Sequence, residues 1–424
     1  MTETLISPNL KHLAGLDIAG GGQIVVQGDF AYVGHMKPPL GTSVIDVSDP
    51  ENPKVVAELE VGSPWSHTHK VRVCGPRMIT NVEQDRRHFL RRGAQIPGII
   101  KQLQEDGISD PDAQQIAQSM GVTVQDISDM RAGLERGYDE GGFKLWDISD
   151  PTQPQLLNYV RTYGFGVHRF DMDENYAYIS TEMEGFVGNI LVIYDIRDPQ
   201  TITEVSRWWM PGQNIAAGEV PTWSGYGNRL HHAMRVGNEL WASVWQAGIR
   251  VIDVTDITSP ITVGSHNYHP WVVEPTHTIL PAQKLFGGRR IALGCDEEHG
   301  HRHGQPHAGL WVFDVTDLSN ITPLSTFHVS ELDSPWARTP DCRFGMHQFQ
   351  EHIEGDKVFC AWFAGGMRVV DISDPHKPRE DAFFIPAPRP GAAAPQSNDL
   401  DTDARGLVYL LDRECGLDIL TYNG

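Results

Sequence analysis

One short pattern recurs along this chain and limits its fold more than any other feature. Thr42-Ser-Val-Ile-Asp-Val-Ser-Asp-Pro50 returns as Phe143-Lys-Leu-Trp-Asp-Ile-Ser-Asp-Pro151 and as Leu191-Val-Ile-Tyr-Asp-Ile-Arg-Asp-Pro199. It comes again as Ile249-Arg-Val-Ile-Asp-Val-Thr-Asp256, Leu310-Trp-Val-Phe-Asp-Val-Thr-Asp317 and Met367-Arg-Val-Val-Asp-Ile-Ser-Asp-Pro375. A truncated copy, Gly416-Leu-Asp-Ile-Leu-Thr-Tyr422, follows. Each copy is a β-branched run that stops at an Asp/Ser/Pro cluster, as a strand does on entering a turn. Repetition of this kind marks an architecture built from one supersecondary unit.

Between copies the order is constant. A strand such as Lys54-Val-Val-Ala-Glu-Leu-Glu60 follows the turn, then a loop, a strand with a polar start, a tight turn, and a strand such as Tyr176-Ala-Tyr-Ile-Ser180. Four strands per unit in seven units predict an all-β fold, a seven-bladed β-propeller formed as a single domain by residues 1–424. The repeat is the third strand counted outward from the axis. The last unit lacks an outer strand. Asn9-Leu-Lys-His-Leu-Ala-Gly-Leu-Asp-Ile18 resembles the outer strand Asn52-Pro-Lys-Val-Val-Ala-Glu-Leu-Glu-Val61, so the N-terminal strand is expected to close the ring and remove a free edge.

The repeats resemble the LVIVD-repeat family over nearly the whole chain. More distantly, Val167-His-Arg-Phe-Asp-Met-Asp-Glu-Asn-Tyr-Ala-Tyr-Ile-Ser180 is similar to strand pairs of the selenium-binding-protein/methanethiol-oxidase propellers. The resemblance implies a propeller and leaves the chemistry open, because this fold hosts many unrelated functions.

One connection breaks the rhythm. Between the second and third strands of the second unit, residues 84–141 form a long insertion. Ile96-Pro-Gly-Ile-Ile-Lys-Gln-Leu-Gln104 has helical spacing. Ser109-Asp-Pro-Asp-Ala-Gln-Gln-Ile-Ala-Gln-Ser-Met120 carries a helix start and stops at Gly121, and the run from Thr123 to Glu135 repeats the pattern. A helical insertion of this length is expected to act as a lid or as a homo-oligomer contact.

The chain has 19 histidines, and many are placed alike. The inner strands of five units open with His69, His168, His232, His277 and His347; the other two open with Gln23 and Asn398. In the sixth unit, counting back from the Gly355-Asp356 turn gives Gln350 instead of His347. In a propeller these strand starts sit together at one mouth of the axial channel, so imidazoles far apart in sequence converge, and converging imidazoles bind transition metals. His67 and His231 stand beside this set. The second strands return to the same mouth and end at His35, Glu83, Glu182, Trp245, Asp296 with Glu297, and Phe363. Glu83 is expected near His69, Glu182 near His168, and Asp296 or Glu297 near His277. Such carboxylates orient metal-bound rings, serve as ligands or act as bases; Glu83, Glu182 and Asp296 are the candidate catalytic residues.

The tract Cys295-Asp-Glu-Glu-His-Gly-His-Arg-His-Gly-Gln-Pro-His307 is expected to form a rim contributing at most one histidine. Arg86, Arg87, Arg91 and Arg92 either bind an anionic substrate or pair with nearby acids on an exposed helix. Arg86, His35, Trp245 and His303 are the candidate substrate contacts, with Trp223, Phe165 and Trp336 as further walls. With 34 Lys and Arg against 55 Asp and Glu, the net charge is −21, which argues against sequence-independent nucleic-acid binding. No apolar run reaches the roughly 18 residues of a membrane span, and the first residues lack the basic and apolar regions of a secretory signal. Five cysteines without a Cys-x-x-Cys pair suit a reducing cytoplasm.

A site of neutral imidazoles favours Fe(II), with Cu or Zn as alternatives, over oxygen-seeking Mg or Ca. Carotenoid oxygenases, also seven-bladed, hold iron by four axial histidines, and methanethiol-oxidase propellers resemble copper users. The resemblance implies a metal-dependent oxidoreductase acting on a small organic substrate. A hydrolase or lyase using a redox-inert ion is the alternative, and a non-catalytic scaffold the third.

Overall fold

The structure, a computed structural model, describes residues 3–223, 227–300 and 304–424. Its chain forms a β-propeller of antiparallel meanders. In the first unit, strands Gly21–Gln27, Phe30–His35, Leu40–Asp46 and Lys54–Glu60 pair in that order. The same order recurs to the strand Cys415–Tyr422, whose outer partner is the N-terminal strand Leu10–Ala19. A nine-stranded sheet contains two successive units, linked where Gly166 pairs with Glu83. The short strand Leu5–Ile6 adds a fifth strand outside Arg379–Ile385, which the sequence does not signal. Successive inner strands are neighbours, and Ser397–Thr402 of the last unit returns to lie beside Gly21–Gln27 of the first.

The recurring sequence has a local cause. Side chains from successive meanders interlock, and the third strands are nearly all buried. At the end of each, the Asp folds back on its own chain. Oδ1 of Asp46, Asp147, Asp195, Asp253, Asp314 and Asp371 accepts from the backbone N–H two residues on, at 2.7–3.0 Å. The apolar residue between them (Val47, Ile148, Ile196, Val254, Val315, Ile372) is buried and donates its N–H to a carbonyl at the preceding hairpin turn, at 2.8–2.9 Å. The repeat is therefore an Asx turn plus a buried hook.

Four helices occupy the insertion: α1 (Arg87–Arg91), α2 (Ile96–Glu105), α3 (Ala113–Met120) and α4 (Val124–Arg136). The last three match the spacing seen in the sequence. Capping boxes at Asp112 and Thr123 start α3 and α4, and Gly121 with φ 64° stops α3. Helix α1 carries Arg87 and Arg91, which the sequence allows on an exposed helix, but Arg87 is buried. Ile96, Ile116, Ile127 and Met130 give the insertion a small core of its own. Among the described residues no helix is long and apolar enough to cross a membrane.

Candidate metal centre

Nearly every inner strand opens with a β-bulge, a residue without a ladder partner whose side chain is re-aimed. Register shifts put Gly22, His168, His277, His347 and Asn398 at that position. In the second unit, four steps from His67 to Val71 match three from Glu83 to Thr80, and His69 lies in the gap. In the fourth unit His232 is the ladder partner of Ser243, while the N–H of His231 also reaches Ser243 O at 2.9 Å. His231 is thus the bulged residue.

The outcome is an arc of six imidazoles. His67, His69, His168, His231, His277 and His347 follow one another with ring centroids 4.2–5.3 Å apart. Gly22 stands at the equivalent place in the first unit; a Cβ there would come within 2.6 Å of the His69 carbonyl oxygen, so no side chain can extend the arc on that side. Against the sequence expectation, His232 is outside the arc. It sits one residue further down its strand, where Arg169 Nε faces its Nδ1 at 3.4 Å. Gln23 is likewise one residue beyond Gly22, whereas His347, not Gln350, takes the sixth unit's place.

A hydrogen bond at Nδ1 holds each ring, and His67 is engaged at Nε2 as well. His67 Nδ1 faces Met36 O at 3.1 Å, His231 Nδ1 faces His277 O at 2.8 Å, and His347 Nδ1 meets Asn398 O. Asn81 and Thr278 hold the Nδ1 atoms of His69 and His277 at 3.2 and 2.9 Å. The opposite nitrogens of His67 and His69 approach Glu83, and Nε2 of His277 has no partner among the described residues. Burial holds His69, His168, His231, His277 and His347 well below the usual imidazole range, which keeps them neutral. Fixing one nitrogen and leaving the other free is how proteins prepare histidines for a metal.

Two carboxylates join the arc. Glu83 is within 3.1 Å of His67 Nε2 and 3.2 Å of His168 Nδ1, and it pairs with Arg87 of α1. Glu297 pairs with His299 at 3.0 Å and Arg343 at 2.8 Å and lies 3.8 Å from His347. Burial alone would raise Glu297, but His299, His347 and Arg343 outweigh it and hold the carboxyl well below its ordinary range. Two groups of donor atoms each fit within 4.8 Å: His67, His69 and Glu83, and His231, His277 and Glu297. All six residues are buried, and imidazole with carboxylate is a transition-metal donor set.

Other expected residues go elsewhere. Glu182 accepts from Arg91 and, at 3.1 Å, from the Phe165 N–H, rather than approaching His168. Asp296 accepts from Tyr268 Oη and Trp311 Nε1 at 2.8 and 2.7 Å; burial pushes it up to about 7, and it serves packing between strands. Alternation along the chain explains why Glu297, one residue later, faces the arc instead. His35 is fully buried, with its nitrogens engaged by Ala19 O and Ser43 Oγ, so it cannot touch a substrate. Phe165 lines a smaller pocket beneath the insertion, and Trp336 packs on the core. His303 lies outside the described residues.

A cavity of about 450 Å³ stands on the arc. Trp245, with φ 39°, and His299 form one side; Arg86, Arg87, His88 and Phe89 from the start of the insertion form another. Arg86 reaches the rim but pairs outward, 3.3 Å from Asp129, so Arg87 is the deeper guanidinium.

Sequence comparison finds LVIVD repeats at residues 21–60, 170–208 and 352–382. No curated protein matches the chain. Solved structures similar to it include the β-propeller domain of Cps50 (Swd1) from Myceliophteria thermophila, with a TM-score of 0.56 and 10% identity over 97% of this chain and 99% of that one. The WD40 repeats of RRP9 give 0.56 and 8% over 98% and 99%; the C-terminal WD40 domain of Sif2 gives 0.54 and 10% over 98% and 99%. At such identities the likeness concerns the fold alone. Repeat sequence and architecture agree: the chain is a β-propeller that carries LVIVD repeats.

Proposed function

We propose that this protein is a metal-dependent enzyme, an oxidoreductase that acts on a small organic substrate in the cavity above the histidine arc. The reading takes the four-stranded units as seven blades of one closed ring, since closure turns equivalent strand starts into neighbours. What carries it is the convergence of six imidazoles, five of them buried and His168 half-buried, beside two buried glutamates.

His67, His69 and Glu83, or His231, His277 and Glu297, would hold the ion, with His168 and His347 adjoining. Two imidazoles with one carboxylate are the donors of open non-haem Fe(II) centres and of catalytic zinc. Fe(II) is the first choice, with Cu or Zn as alternatives; a redox ion supplies electron transfer to or from dioxygen or substrate. The chain's residues do the rest. Glu83 orients His168 through Nδ1 and is itself steadied by Arg87; Trp245 and Phe89 wall the reaction space, and the insertion acts as a lid. The unpaired cysteines fit a cytoplasmic protein.

Because the same donors suit zinc, a hydrolase or lyase is the second reading. Metal quantitation after growth with iron, copper or zinc, followed by dioxygen-uptake assays, tests both. The expected result is at least one transition-metal ion per chain. A chain that retains none leaves only the scaffold.

A further inference from the structure

Arg229 lies in the connection leading to the inner strand His232–Val236 and is buried, with 4% of its surface exposed. Its guanidinium carbon stacks 3.6 Å above the ring of Trp245, which walls the cavity. The charges acting on it are Arg87, Arg91, Glu83 and Glu182. Both carboxylates are already taken: Glu83 by Arg87 and Glu182 by Arg91. Among the described residues Arg229 makes no hydrogen bond and no ion pair. A guanidinium stays charged in proteins, and burying it without a counterion is costly.

We infer that the substrate carries an oxyanion, a carboxylate or a phosphate, which docks on the guanidinium of Arg229 beside the histidine arc. The inference rests on taking that arc as the reaction centre, and it names the substrate's class. A planar guanidinium binds such a group through two parallel N–H bonds. The flat face of Trp245 fixes the plane of the fork, and the strained backbone of Trp245 fixes that face. The head group thus offsets a buried charge that no carboxylate among the described residues pairs with, and the rest of the molecule extends toward the imidazoles.

The test titrates the protein as purified with benzoate, phenyl phosphate and the neutral isostere benzamide, by calorimetry and thermal melting. An aromatic probe suits walls made of Trp245 and Phe89. Benzoate or phenyl phosphate is expected to bind at least tenfold more tightly than benzamide, and whichever is tighter names the head group. Arg229→Gln is expected to lose that preference, to keep the wild-type metal content, and without ligand to melt no lower than the parent. Equal affinity for benzoate, phenyl phosphate and benzamide overturns the inference, as does undiminished oxyanion binding by Arg229→Gln. Should that variant fail to fold, the wild-type comparison with benzamide decides alone. Arg229-dependent binding by a chain without metal upholds the anion site while the metal reading fails; metal without oxyanion selectivity does the reverse.

Discussion

Both carboxylate oxygens of Glu83 lie 3.2 Å from Nδ1 of His168. The contact joins two units: Glu83 nears the end of the strand Arg77–Gln84, and His168 is the bulge of Tyr163–Met172. Gly166 makes the approach possible. It is the ladder partner of Glu83, its φ is 90°, and a Cβ there would fall 2.4 Å from Val82 O. Glu83→Gln keeps the size and removes the charge. Losing an orienting carboxylate typically costs 10–100-fold in metal affinity, so competition with a calibrated chelator should show a drop of about that size. Unchanged affinity removes Glu83 from the centre.

The placement of His231 and His232 gives a sharper test. Only His231 points into the arc, so His231→Ala should lower the metal-to-protein ratio, while His232→Ala should retain it. His232→Ala removes the partner of Arg169 Nε, a buried group. Leaving such a donor unsatisfied costs about 1–3 kcal/mol, readable as an earlier denaturant midpoint. Elemental analysis of the two purified variants, side by side, decides the register; equal metal loss in both rejects it.

The same pair shows what the sequence discloses. The third strands are legible because each is short, β-branched and ended by a side chain that folds on its own backbone, a purely local device. The arc is less legible, because it depends on a bulge, and alternation alone does not say where an extra residue enters. A faint signal exists: six residues before the hairpin glycines Gly28, Gly75 and Gly237 stand Gly22, His69 and His231. By that count His231, not His232, belongs with His69. Asp296 and Glu297 differ by one position on a strand's last turnover, where a side chain's face depends on the neighbouring strand. Arg229 has no local signature, since its meaning lies in carboxylates that other arginines already occupy.

Acid should weaken the turns in a defined window. Oδ1 of Asp147 accepts from Ser149 Oγ at 2.6 Å and from its N–H at 2.8 Å. These bonds, the side-chain one first, hold the Asp147 carboxyl below its ordinary value. A carboxylate with a depressed folded-state pKa contributes stability above its unfolded value, near 3.8, and loses it as pH falls through the folded value. Asp147→Ala should therefore melt below wild type at pH 7, with the gap narrowing under pH 4. Thermal melts of both proteins from pH 7 to pH 2.5 measure it, and a gap that widens with acid refutes the linkage.

The insertion can be separated from the propeller. Gly142 and Val82 are ladder partners, so the strands on either side of the excursion already lie together. Helices α2 to α4 pack around their own apolar residues. Replacing residues 86–139 with a short Gly/Asn turn should thus leave a cooperatively melting β-protein, because loop closure changes slowly with length. The cut removes Arg86, Arg87, His88 and Phe89 from one wall of the cavity and opens the arc to solvent. Metal release to excess chelator should accelerate at least tenfold, since the ion no longer waits for the lid to move. A folded variant that releases metal at the wild-type rate shows that the insertion does not cover the centre.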